Sequence, residues 1–300
     1  MPIISDDEPR YLANLVTGVG GGVIITRLDG SDRVRLAPDV SGVHKHANWS
    51  PEGDRVVFID DTSETMWIAN LDGSPSVQLP GCDHDGCDYP AFSPDGGRIA
   101  YSRYESDDTV TGPSAVGIEV LEVATGHATK VVRLERPLLA DVPRWSPDGT
   151  QLAVGVDQMD DESVETGAAI AIVPASGGEV QYLTDFPLFG YTPDWNSATG
   201  EIVFGTSVRE YAADVQPDEA WDAWGVQPDG TLLRQITHAD PGEHVRGAKW
   251  TPDGTTILAM STTRGMVSID PQTGSMTPIE GVPDSTTSPR LRPQGSAGGL

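Results

Sequence analysis

Trp145-Ser146-Pro147-Asp148-Gly149-Thr150 decides the fold, because the chain repeats it. The other copies are Trp49-Ser50-Pro51-Glu52-Gly53-Asp54, Phe92-Ser93-Pro94-Asp95-Gly96-Gly97, Trp250-Thr251-Pro252-Asp253-Gly254-Thr255 and the looser Trp195-Asn196-Ser197-Ala198-Thr199-Gly200-Glu201. Their aromatic residues stand 43, 53, 50 and 55 positions apart. Self-similarity at a period of about 40–55 residues, each unit opening with an aromatic and a tight turn, is the mark of β-propeller blades. Proline presets the first turn position and glycine takes the positive-φ position, so each copy is a hairpin with a mechanism.

Outward from the first hairpin run Arg55-Val56-Val57-Phe58-Ile59, then Met66-Trp67-Ile68-Ala69-Asn70-Leu71, a turn at Asp72-Gly73, and Ser76-Val77-Gln78-Leu79. These are β-rich runs bounded by turn residues. The unit is therefore strand A ending at the aromatic, strand B, a polar loop, strand C, a second glycine hairpin and strand D. The second hairpins recur at Thr125-Gly126, Ser176-Gly177-Gly178, Pro228-Asp229-Gly230 and Thr273-Gly274. Unit four, with Asn196-Ser197-Ala198-Thr199-Gly200, calls for a longer first turn. Residues 10–37 read as a unit lacking strand A. Ser288-Pro289-Arg290-Leu291-Arg292-Pro293 supplies it as a degraded copy of Val142-Pro143-Arg144-Trp145-Ser146-Pro147. Five whole units and one split unit make an all-β, six-bladed propeller of four-stranded antiparallel blades. Strand sharing between the ends closes the ring and removes exposed sheet edges. The single domain spans 10–295, with tails at 1–9 and 296–300.

The aromatic-Ser-Pro-Asp-Gly phrase resembles the WD40-like (PD40) repeat of TolB-type propellers. The last-strand endings Tyr182-Leu183-Thr184 and Gln235-Ile236-Thr237 are similar to that repeat. The resemblance covers nearly the whole chain and implies the fold. For function it implies only a range, since such repeats occur in periplasmic binding proteins, peptidase gating domains and oligogalacturonate lyases.

The formal charge is −26, from 19 Lys and Arg against 45 Asp and Glu. Nucleic acid needs a basic footprint, so it is excluded as a partner. The opening Met1-Pro2-Ile3-Ile4-Ser5-Asp6-Asp7-Glu8 lacks a basic and an apolar leader segment. If residue 1 is the natural start, a cytoplasmic location is expected; removal of a signal peptide would imply the periplasm or secretion. No stretch is apolar enough to insert in a membrane. No Gly-x-Ser-x-Gly elbow and no phosphate-binding loop is present.

The repeat also sorts the loops. The A–B and C–D turns are short and share one end of the strands. The B–C loops (103–115, 157–168, 207–222) and D–A loops (80–89, 185–193, 238–247) are long and irregular and share the other end. Variable loops on a rigid scaffold carry function, so the site is expected at that mouth of the channel. Tyr89, Tyr104, Tyr191, Tyr211, Trp221 and Arg246 are the expected ligand-binding residues there, for a protein, peptide, small-molecule or glycan ligand. His44, His46, His84 and His244, with Asp88 and Asp141, are the candidate ligands of a divalent metal, zinc or manganese. His44 and His46 are expected to point the same way on one extended segment. The oligogalacturonate lyases that share the repeat type carry a histidine-rich metal site at the channel, which the resemblance makes relevant here. Cys82 and Cys87 read as a free pair, a small disulfide or zinc thiolates; a cytoplasmic location favours reduced or metal-bound thiols. Asp157 to Glu162 reads as a solvated acidic loop. Two functions remain open: a binding propeller, or a metal-dependent lyase, hydrolase or isomerase.

Overall fold

The computed structural model describes residues 10–15, 22–27, 31–82, 86–106, 112–206, 220–280 and 290–293. The expected tails, His84 and Tyr211 lie outside them. The strands are β1 (Arg10–Leu15), β2 (Gly22–Arg27), β3 (Val34–Arg35), β4 (His44–Trp49), β5 (Arg55–Asp60), β6 (Thr65–Asn70), β7 (Val77–Gln78) and β8 (Cys87–Phe92). There follow β9 (Arg98–Glu105), β10 (Ala115–Glu122), β11 (Ala128–Glu135), β12 (Leu138–Trp145), β13 (Gln151–Met159), β14 (Glu165–Pro174), β15 (Gln181–Tyr182) and β16 (Gly190–Trp195). The last are β17 (Ile202–Thr206), β18 (Ala223–Val226), β19 (Arg234–Gln235), β20 (Val245–Trp250), β21 (Ile257–Ser261), β22 (Gly265–Ile269), β23 (Met276–Pro278) and β24 (Arg290–Leu291).

They form an all-β propeller of four-stranded antiparallel blades. Five blades are continuous stretches: β4–β7, β8–β11, β12–β15, β16–β19 and β20–β23. A further four-stranded sheet, in the order β24-β1-β2-β3, draws on both ends of the chain. The sequence count of six added a split unit to five whole ones. The continuous blades number five, and the split unit corresponds to this composite sheet. In it Tyr11 lies opposite Leu291 and Leu12 opposite Arg290.

The hairpin phrase closes through its own side chains. In each regular copy the glycine N–H returns to the carbonyl of the Ser or Thr three residues earlier, as from Gly149 to Ser146 at 2.9 Å. The Ser146 hydroxyl donates to Asp148 at 2.6 Å and accepts from the Gln151 N–H at 2.9 Å. Ser93 and Thr251 make the same pair of bonds. Unit four has the longer turn: the Gly200 N–H reaches Asn196 four residues back, and the Asn196 side chain accepts from Ala198 and Thr199.

Cores lie between blades. Val23, Ile25, Leu36, Trp49, Val56 and Phe58 join the composite sheet to the β4–β7 blade. Ile24, Leu258, Met260 and Met266, with Ile279 and Leu291, join it to the β20–β23 blade. The blade aromatics also carry a polar tie. The indole N–H of Trp145 donates to the carbonyl of Ala91, and that of Trp195 to Arg144, each at 3.0 Å. Each acceptor is the residue just before the aromatic of the preceding blade. Trp49 donates in the same way to Arg290 at 3.0 Å. Arg290 thus occupies in the composite sheet the place that Arg144 occupies in its blade. Trp67 and Trp224 sit at equivalent points in strand C, opposite Phe58 and Phe204, and pack on the cores.

Cys82 and Cys87 form a disulfide with Cα atoms 5.3 Å apart. This corrects the expectation of reduced or metal-bound thiols. The short loop brings the two Cα atoms within bridging distance, and Cys87 is buried at the start of β8.

Candidate functional site

The innermost strand of every continuous blade carries the same irregularity. The register slips between Lys45 and Asn48, Asp88 and Ala91, Asp141 and Arg144, Tyr191 and Asp194, and Arg246 and Lys249. Three residues before each aromatic, the backbone is left-handed: His46 (φ 50°), Tyr89 (51°), Val142 (54°), Thr192 (50°) and Gly247 (62°). Bulges of this kind bend a strand and re-aim its side chains. For β-branched Val142 and Thr192 the conformation is costly and persists because the surrounding blade fixes it.

These bulges line the channel mouth. One cavity of about 340 Å³ is bounded by Tyr89, Asp141, Val142, Tyr191, Thr192, Arg246 and Gly247 from the bulges, with Asp157, Glu165 and Trp221 around them. Four expected ligand-binding residues, Tyr89, Tyr191, Trp221 and Arg246, are therefore brought together. Tyr104 lies next door, lining two adjoining cavities of about 380 and 280 Å³. Its hydroxyl donates to Asp141 at 3.0 Å. The hydroxyl of Tyr191 donates to Glu165. Trp221 is 3% exposed rather than an open stacking platform. Its ring stacks on His244, with centroids 4.2 Å apart and 6° between planes, and the Arg246 guanidinium lies 4.2 Å from its centre. Its indole N–H is buried without a hydrogen-bond partner.

Three carboxylates share one wall. Asp157 is within β13, not in a solvated loop, and lies two residues along the strand from Gly155, the partner of Asp141. Burial, and then the charges of Asp141 and Glu165, push the Asp157 carboxyl well above the usual range. Burial raises Asp141 as well, against hydrogen bonds from Ser102, the Val142 N–H and Tyr104; the charge of Asp88 adds to the rise. The phenols of Tyr89 and Tyr104 are raised by burial and by Asp141 and Asp88.

The described metal candidates are spread over separate contacts. His44 is buried and tilted on Phe58 at 4.5 Å. Burial lowers its pKa. His46 hydrogen-bonds Asp88 and stacks on Tyr89 at 4.0 Å. The bulge at Lys45–Asn48 breaks the alternation on which the expectation of a His44 and His46 pair rested. Asp88 also meets Lys45 at 3.1 Å. Burial would raise Asp88, but His46 and Lys45 outweigh it and hold the carboxyl below its usual value. His244 belongs to the Trp221 stack. Among the described residues no group of three or more His, Cys, Asp or Glu could hold a metal ion.

Sequence reasoning missed Asp157 and Glu165. It also missed a deeper layer at the residue before each aromatic: Arg144, Asp194 and Lys249, with Arg290 equivalent to them. The constant spacing back from the aromatics was the available signal.

Solved structures share this fold. TolB from Acinetobacter baumannii superposes with a TM-score of 0.63 at 13% identity, over 95% of this chain and 66% of that one. The fold is a TolB-like β-propeller. An oligogalacturonate lyase in complex with manganese gives 0.56 at 15% identity, covering 91% of this chain and 73% of the lyase. A chain of a nidogen/laminin complex gives 0.64 at 10% identity, covering 95% of this chain and 98% of that one. In sequence, the uncharacterized peptidase YuxL of Bacillus subtilis (strain 168) is 32% identical over 121 residues, which are 40% of this chain and 17% of that protein. No protein-family model matches the chain. No helix among the described residues is long and apolar enough to cross a membrane.

Proposed function

We propose that this TolB-like propeller is a binding module whose channel mouth receives a basic side chain of a protein or peptide partner. One observation carries the reading: Asp141, Asp157 and Glu165 line the same 340 Å³ cavity as Tyr89, Tyr191, Trp221 and Arg246. Bringing three half-buried carboxylates together is costly unless a cation joins them. The phenol walls of Tyr89 and Tyr191 suit the aliphatic stem of a lysine or arginine. The chain's charge of −26 would steer a basic partner toward it. The nidogen/laminin neighbour is itself part of a protein complex, which supports a protein partner here. The scaffold in this reading is a six-bladed ring over 10–295, closed by the composite sheet. The Cys82–Cys87 disulfide supports an oxidising compartment such as the periplasm over the cytoplasm.

The second reading is enzymatic. The manganese-bound lyase neighbour and the raised Asp141 and Asp157 carboxyls favour it, since protonated and ionised carboxyls side by side are the equipment of acid–base catalysis. A metal in this reading would draw on His46 and Asp88, which already meet.

Calorimetric titration with a capped lysine tripeptide separates the readings. Binding that is at least tenfold weaker in Asp157→Asn supports the basic-ligand site. Equal binding by wild type and variant, or none, removes it.

A further inference from the structure

Below the bulges, the residues just before the blade aromatics form a second layer around the channel: Asn48, Ala91, Arg144, Asp194 and Lys249, with Arg290 from β24 in the equivalent place. The layer is lopsided. One arc carries three cations and one carboxylate, and the other carries only Asn48 and Ala91. In a chain with 45 acidic and 19 basic residues, three of the basic ones are gathered at this depth.

These side chains reach inward. Arg290 donates to Asp194 at 3.2 Å, although the β20–β23 blade separates their two sheets in chain order. The Lys249 ammonium donates to the carbonyls of Thr192 (2.7 Å) and Pro193 (3.3 Å) on the preceding inner strand. The Arg144 guanidinium donates to the carbonyls of Pro143 (2.6 Å) and Tyr89 (3.4 Å). Asp194 is the carboxylate within this layer, with Asp141 also acting on Arg144 from the mouth, and Asp194 already accepts from the Trp250 N–H at 2.9 Å as well as from Arg290.

The polar accounts do not balance. Nε of Arg144 and one terminal nitrogen of Arg290 are buried with no hydrogen-bond partner. Lys249 is 2% exposed. Buried charged donors are ordinarily paired, and leaving them unpaired is costly. The mutual repulsion is felt: burial, and then Arg290, bring Arg144 down to about 9, with Asp194 opposing. Burial also drives Lys249 well below its usual value, Asp194 opposing and Arg290 and Arg144 adding to the fall.

We propose that this channel throat, between Arg144, Lys249 and Arg290, binds a small monovalent anion of chloride size. The unpartnered guanidinium N–H groups supply the donors, and Ala91 and Asn48 bring no charge to the opposite arc. Asp194 selects against multivalent anions, because a second negative charge would sit beside its carboxylate. The site is distinct from the acidic mouth above it and does not depend on the ligand proposed there.

The test uses the intact protein with bromide as the probe. Crystals grown in sodium bromide should give an anomalous peak within hydrogen-bonding distance of Arg144 Nε and Arg290. In solution, sodium chloride or bromide should raise the melting temperature above that in sodium gluconate at equal ionic strength, and sodium sulfate should not reproduce the effect beyond its general salting action. Arg144→Met keeps the stem and removes the charge, and should weaken the apparent anion affinity at least tenfold. If that variant does not fold, Asp194→Asn serves instead and should tighten it. Bromide found only at surface positions, or melting that is the same in chloride and gluconate, would overturn the proposal.

Discussion

Arg246 lies over Trp221, its guanidinium carbon 4.2 Å from the centre of the indole. The two residues come from different blades, and His244 stacks on the same ring. Trp221 therefore fixes the direction of Arg246, the basic side chain among the described residues of an acidic cavity. Trp221→Ala should cost about 3–5 kcal/mol, the usual range for a buried Trp→Ala change. It should also weaken tripeptide binding at the mouth. Urea unfolding beside calorimetry checks both. A variant as stable as wild type would mean that the stack carries no packing energy.

Asp157 makes stability depend on pH. Its folded-state pKa is raised, so the folded protein holds the proton more tightly than the unfolded chain does. The stabilisation is complete below the unfolded value of about 3.9 and is lost as pH rises through the folded value. Asp157→Asn should thus gain stability relative to wild type as pH rises from about 4 toward neutrality. Denaturant midpoints measured across that range would reveal it. A difference that is constant with pH would contradict the assignment.

The Cys82–Cys87 bridge closes a very short loop immediately before Asp88. Alkylation without reductant should leave both cysteines unmodified. Reduction should destabilise the protein by about 2 kcal/mol, the chain-entropy value for so small a loop. Two alkylated thiols in protein trapped without reductant would restore the earlier expectation of a free pair.

The closing strand is testable by deletion. Removing residues 286–300 takes away Leu291, the acceptor of the Trp49 indole and the Arg290 partner of Asp194. The truncated protein should melt well below the full chain, and, on the proposal that this strand closes the ring, the loss should reach the whole domain. Unchanged melting would show that the composite sheet does not close the propeller.

The blades were legible because the hairpin phrase encodes its own geometry: Ser, Pro, Asp and Gly each perform a local task that needs no tertiary partner. The mouth was partly legible for the same reason. Asp88, Asp141, Tyr191 and Arg246 stand four residues before a blade aromatic, and the bulges bring Asp141, Tyr191 and Arg246 to one cavity. His44 and His46 do not act as a pair because the bulge parts them, and that is not written in a two-residue spacing. Asp157 was hidden by its neighbours. Asp160, Asp161 and Glu162 turn in solvent, while Asp157 belongs to the preceding strand. The disulfide was hidden by an expectation about compartment, although its spacing permitted it.

Structure determination with the capped lysine tripeptide soaked into the protein tests the central claim most directly. The account predicts the lysine ammonium within hydrogen-bonding distance of Asp157, its stem against Tyr89 and Tyr191, and density lost in Asp157→Asn. An empty mouth under conditions that saturate binding in solution, or a peptide bound on another face of the propeller, would contradict it.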